Sequence, residues 1–197
     1  MTLKDLELLW QIEVHCERCI RACAYFFAVS GSDSSNLWSF TQNCYAETAI
    51  IHWCKTFGSH SSEPTHFKHF FENRCFHAGD GTAITLDTVR KRLRDASGLD
   101  DNQYTDFWKG VKDGRDTFFV HNEFSKQNHP SFPDLNIVQQ TCLEMREIIH
   151  AVLSGEDCSE DSDFFQNFCD LVQWNRNPKY LRDIEKDCKA LTRAINV

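Results

Sequence analysis

The sequence predicts an all-α fold, one helical bundle of seven to eight helices spanning residues 1–197 as a single domain. Three observations carry this. Apolar residues recur at spacings of three and four along most of the chain, the period that lines one face of a helix. Only 8 Gly and 4 Pro are present, which argues against a turn-rich all-β fold. No stretch alternates apolar and polar residues, and there is no internal repeat or low-complexity tract.

A first helix is expected from about Thr2 to Val29, ended by the polar run Gly31-Ser32-Asp33-Ser34-Ser35-Asn36. A second runs from about Leu37 to Thr56 and closes at Phe57-Gly58. Ser61-Ser62-Glu63-Pro64 opens a third, since proline is tolerated in a first helical turn, and it reaches about Cys75. After the turn Gly79-Asp80-Gly81-Thr82, Thr85 caps a fourth helix that ends before Gly98. Asp100 or Asp101 caps the fifth, an amphipathic stretch from Tyr104 to Asn122. Pro130 and Pro133 force a loop, and Asp134 caps a sixth helix reaching about Ser154. A seventh (Ser162 to Trp174) and an eighth (Pro178 to Ile195) complete the bundle.

The N-terminus carries acids in its first turn and has no long apolar run, so neither a secretory signal nor a membrane span is expected and the chain reads as cytoplasmic. A net charge of −8 disfavours indiscriminate polyanion binding. It leaves room for a local basic groove. Arg90, Lys91, Arg92 and Arg94 form such a patch, or else a solvated face opposite Leu86, Val89, Leu93 and Ala96. The acidic run Gly155 to Asp163 would repel phosphate.

Ten cysteines invite a metal or disulfide reading that periodicity mostly removes. Cys16, Cys19 and Cys23 continue a line with Ile12 and Phe27. Cys44 and Cys54 join Leu37, Phe40 and Ile51, Cys142 joins Val138, Met145 and Ile149, and Cys188 joins Leu181, Ile184, Leu191 and Ile195. Free thiols pack as small hydrophobes, so these read as core positions. Cys16-x-x-Cys19 with His15 or His52 could hold zinc, but no second pair completes four ligands, and no cofactor is expected. His66 and His69, one turn apart, read as surface or packing residues.

Arg115-Asp116-Thr117-Phe118-Phe119-Val120-His121 is the segment with chemical content. Arg115 falls in register with Tyr104, Phe107, Trp108, Val111 and Phe118 on one helix face. A guanidinium there needs an anion, a hydrogen-bond network or an interface. It could pair with an acid such as Asp113 or Glu123, or it could belong to a site with His121, a side chain that titrates near neutral pH. In an unbroken helix His121 would stand about 120° around the axis from Arg115, so the two converge only if the helix bends or a second subunit contributes.

Arg115, Asp116 and His121 resemble the Arg-x(4–6)-His signature of HEPN domains (higher eukaryote and prokaryote nucleotide-binding). Ile51 to Gly58 and His66-Phe67-Lys68 extend the likeness to the abortive-infection branch of HEPN-like proteins, over roughly Leu37 to Asn122. The resemblance implies a metal-independent endoribonuclease, a toxin with a role in phage defence, or a decayed relative that binds RNA or nucleotide without turnover. It implies a homodimer, an RNA substrate and, as a further partner, a nucleotidyltransferase-type antitoxin. His121 would act as general base or acid, Arg115 would hold the phosphate, and Asp116 would orient either one. Asn122, Lys112, Arg90 and Arg94 are the remaining candidate RNA contacts. Gly110 and Gly114, one turn apart in the same helix, suggest close approach of another backbone, from this chain or from a second subunit.

Overall fold

The structure is a computed structural model, and it describes residues 1–30, 36–116 and 133–155, together with position 186. The expected seventh helix, the eighth apart from position 186, the acidic run beyond Gly155, and His121 and Asn122 lie outside the described residues. Within them the chain is mostly helical: α1 (Leu3–Val29), α2 (Asn36–Phe57), α3 (Lys68–Phe71), a hairpin of β1 (Cys75–His77) and β2 (Ala83–Thr85), α4 (Leu86–Ser97), α5 (Asp101–Gly114) and α6 (Leu135–Gly155).

Capping chemistry sets the starts. The Thr2 hydroxyl accepts from the Asp5 amide while the Asp5 carboxylate accepts from the Thr2 amide, a reciprocal pair that satisfies two otherwise orphaned donors. Thr85 and Thr88 do the same at α4, and Asp100 accepts from the amides of Asn102 and Gln103 at α5. Gly98 ends α4 at φ +69°, a left-handed conformation that favours glycine.

The core lies between α1, α2 and α6, with α4 on the outer side of α6. From α1 it takes Leu9, Ile12, Cys16, Cys19 and Cys23, and from α6 Val138, Cys142, Met145 and Ile149, all buried. The thiol of Cys142 meets those of Cys16 and Cys19, and burial pushes it well above the usual thiol range. These cysteines pack as apolar groups. Trp53 is fully buried, and its indole N–H donates to Thr141 Oγ1 at 2.9 Å, tying α2 to α6.

Three expectations change. The helix expected from Ser61 to Cys75 is a single turn, α3, because the preceding segment folds back on α2. There the Thr65 hydroxyl donates to the Lys55 carbonyl and the Phe67 amide to the Thr56 carbonyl. The hairpin was not foreseen. Its strands pair antiparallel with Phe76 opposite Ile84, and three residues are too short for alternation to be visible. On α2, Cys54 is buried as expected, but Phe40 is 68% exposed and Ile51 39%, and the rest of the buried face is Ala46, Ala49, Ile50, Trp53 and Phe57. That helix carries apolar residues on more than one side, so spacing alone did not select the face.

Candidate functional site

The C-terminal turn of α2 and the loop after it build the surroundings of Arg115. Glu63 sits on that loop, 8% exposed in its side chain, with Lys55 Nζ 2.9 Å from Oε2 and Arg115 Nη1 2.7 Å from Oε1. Arg115 Nε donates to Asp116 Oδ1 at 2.7 Å. Two cations and two carboxylates therefore form one chain, Lys55–Glu63–Arg115–Asp116, with Arg115 only 15% exposed. Of the acids expected to take Arg115, Glu123 lies outside the described residues and Asp113 does not take it; its partners are Asp116 and Glu63, the latter 52 residues away.

The backbone changes at this point. Helix α5 is regular through Gly114, and Arg115–Asp116 form a wider π-turn. Arg115 itself keeps helical φ and ψ, and its amide donates to the Val111 carbonyl, so it continues the face that carries Val111. Burial works against its charge, but the Asp116 hydrogen bond and the fields of Asp116 and Glu63 outweigh this and hold its pKa above the ordinary guanidinium value. Among the described residues Nη2 donates in neither pair, which leaves it as a donor for a further anion.

Beneath the network lies Cys54. Burial raises its thiol to about 12, the carboxylates of Asp116 and Glu63 add to that, and Arg115 opposes it. It is a packing residue and no nucleophile at neutral pH.

Sequence reasoning missed how His15 and His52 relate. They meet across α1 and α2 with Nδ1 to Nδ1 at 2.9 Å, so one ring donates and the other accepts. Burial, then the facing His52, Arg18 and Lys55, lower His15 to about 4, against a smaller opposite effect of Glu63. His52 is lowered too, by burial first and then by Arg18. Both rings are neutral at pH 7 and border the Lys55–Glu63 pair. No sequence signal joins positions 37 residues apart on separate helices. The zinc alternative had placed one of these histidines with Cys16 and Cys19, whose side chains instead face the core. Among the described residues no group of three or more His, Cys, Asp or Glu side chains is arranged to hold a metal ion.

The other candidates scatter. Lys112 is half-buried, with its ammonium 5.5 Å from the Trp108 ring centroid. The basic run on α4 splits: Arg92 turns to Glu144 of α6 at 2.6 Å, whereas Arg90 and Arg94 line a groove against α5. Val89 and Leu93 are buried, as the amphipathic pattern required. Around Gly110 and Gly114, nothing among the described residues lies within 4 Å of where a Cβ would stand. The chain matches no protein-family model, no curated protein and no solved structure.

Proposed function

We propose that this protein is a metal-independent endoribonuclease of the HEPN type, acting as a homodimeric toxin of the abortive-infection kind. One observation carries the reading: Arg115 is held half-buried by two carboxylates at a π-turn, with one amino group that takes no partner among the described residues. A guanidinium fixed in this way pays no reorganisation when a phosphate arrives, which is how preorganised donors stabilise charge growing on phosphoryl oxygens. His121 takes the proton of a ribose 2′-OH, whose oxygen then attacks the adjacent phosphorus. The 5′-oxygen leaves with the proton that His121 returns to it, and the product ends in a 2′,3′-cyclic phosphate. Asp116 positions Arg115. The exposed flank of α5 at Gly110 supports a second subunit approaching that helix.

Labelled RNA incubated in EDTA tests this. Cleavage should persist and leave the cyclic phosphate, and Arg115→Ala and His121→Ala should each slow it by about a hundredfold or more. Cleavage of DNA at a comparable rate would defeat the mechanism, because DNA has no 2′-OH. In sedimentation, Gly114→Leu should weaken dimerisation and activity together.

A second reading has its own support. Lys55 and Arg115 are matched by Glu63 and Asp116, so the network is neutral as it stands. On that reading Arg115 clamps the Glu63 loop to α5, and the chain binds RNA, nucleotide or a nucleotidyltransferase-type antitoxin without turnover. RNA that binds but stays intact in the same assay would favour it.

A further inference from the structure

The loop that presents Glu63 to Arg115 presents other residues to a groove that does not include Arg115. This groove, of about 670 Å³, runs between the loop, the second half of α4 and the first half of α5. Its size is that of a small-ligand site, for which roughly 300–1,000 Å³ is usual. Lys68, Arg90 and Arg94 line it, against Asp101 as the one carboxylate among the described lining residues. On a chain of net charge −8 this is a local reversal of sign.

The same walls are aromatic. Tyr104 and Trp108, one turn apart on α5, line the groove beside Arg94. The Trp108 indole N–H donates to the Phe57 carbonyl at 2.5 Å, which fixes the ring before any ligand arrives. The cations are held only by pairs that are cheap to exchange. Arg94 pairs with Asp101, Arg90 with Asp87 at 3.4 Å and Lys68 with Glu72 at 3.2 Å, all on partly exposed side chains. Exposed pairs of this kind give way to a phosphate, which takes two guanidinium donors at once.

We propose that this groove binds one nucleotide unit, its phosphate on Arg90 and Arg94 and its base against Tyr104 and Trp108. Stacking on aromatic rings beside a basic track is how single-stranded nucleic acid is held without a sequence code. The unit belongs either to an RNA strand or to a free nucleoside monophosphate. The assignment goes beyond cleavage at Arg115 and does not depend on it.

Titration calorimetry on the whole protein tests it with 2′-O-methyl hexa-adenylate, adenosine 5′-monophosphate and ribose 5-phosphate. The methylated strand has no free 2′-OH, so binding is read whether or not the chain cleaves RNA. The paired substitution Arg90→Ala with Arg94→Ala should weaken the phosphate-bearing adenine probes about tenfold or more and flatten their salt dependence. Lys91→Ala, on the same helix but outside the groove, should bind as the parent does, and circular dichroism should show both variants folded. Binding of the strand without the mononucleotide assigns the site to RNA, and comparable binding of the mononucleotide assigns it to free nucleotide. The proposal is overturned if neither adenine probe binds, if the double variant binds them unchanged, or if ribose 5-phosphate binds as tightly as the mononucleotide.

Discussion

Glu63 is the residue on which the site turns, since it accepts from Lys55 and Arg115 through its two oxygens. Glu63→Gln removes one negative charge from a neutral network while keeping an acceptor of similar shape. RNA affinity should therefore rise in filter binding, while urea unfolding shows a loss of about 1–3 kcal/mol from the weakened hydrogen bonds to the buried Glu63 side chain. Unchanged affinity would mean that Arg115 does not meet the nucleic acid. A second buried pair isolates stability from function. Arg146 Nε lies 2.7 Å from Glu13 Oε1, with both side chains almost fully buried. Arg146→Ala removes a cation from a buried carboxylate and should cost about 3–5 kcal/mol, whereas replacing Arg146 with Met and Glu13 with Leu together should cost less. Equal losses in the two proteins would show that the cost does not come from taking this cation away from Glu13.

Helix α5 and the hairpin show what glycines do at the scale of an element. Gly110 is exposed and inside a helix, with open space at its missing Cβ among the described residues. Gly110→Ala should stabilise an isolated subunit by about 1 kcal/mol through helix propensity alone. If a second subunit packs its backbone there, the same substitution should weaken the dimer, and sedimentation alongside thermal melts separates the two outcomes. Gly155 behaves oppositely. It ends α6 where a Cβ would overlap the His77 carbonyl, so backbone meets backbone between α6 and β1. Gly155→Ala should destabilise by about 1–3 kcal/mol, as overpacking does, and denaturant titration reads it directly. Capping residues were legible in the chain at Thr85, Asp100 and Asp134, because a helix start depends on its own few residues. The hairpin was not, because Phe76 and Ile84 acquire their meaning only by facing each other and the core.

Across the whole molecule, buried histidines link stability to pH. His66 is lowered to about 4, by burial first and then by His60, His69 and Lys68, and His15 is lowered to about 4 as well. Their ordinary value is 6.5. Between about 4 and 6.5 the unfolded chain therefore binds more protons than the folded one, and protonation favours unfolding. Stability from these groups is level above pH 6.5 and falls as pH drops toward 4. Melting temperature measured at steps across this window should decline. His66→Asn keeps an acceptor for the Lys68 amide, which now donates to Nδ1 at 3.1 Å, and should flatten the decline. A melting temperature that holds steady to pH 4.5 would refute the linkage. Among the described residues no helix is long and apolar enough to cross a membrane.

The helical class, the caps, the cysteines of α1 and α6 as core and the amphipathic face of α4 were all determined by the sequence. Each follows from periodicity or from chemistry within one turn of helix, where neighbours in sequence are neighbours in space. Arg115 was legible as a residue that needed an anion. Which anion was decided by tertiary structure, because Glu63 reaches it only after its loop folds back across the end of α2. The face of α2, the His15–His52 contact and the groove between α4 and α5 were settled in the same way. Each depends on which elements pack together, and a one-dimensional period cannot choose among faces that are equally apolar or side chains that are far apart along the chain.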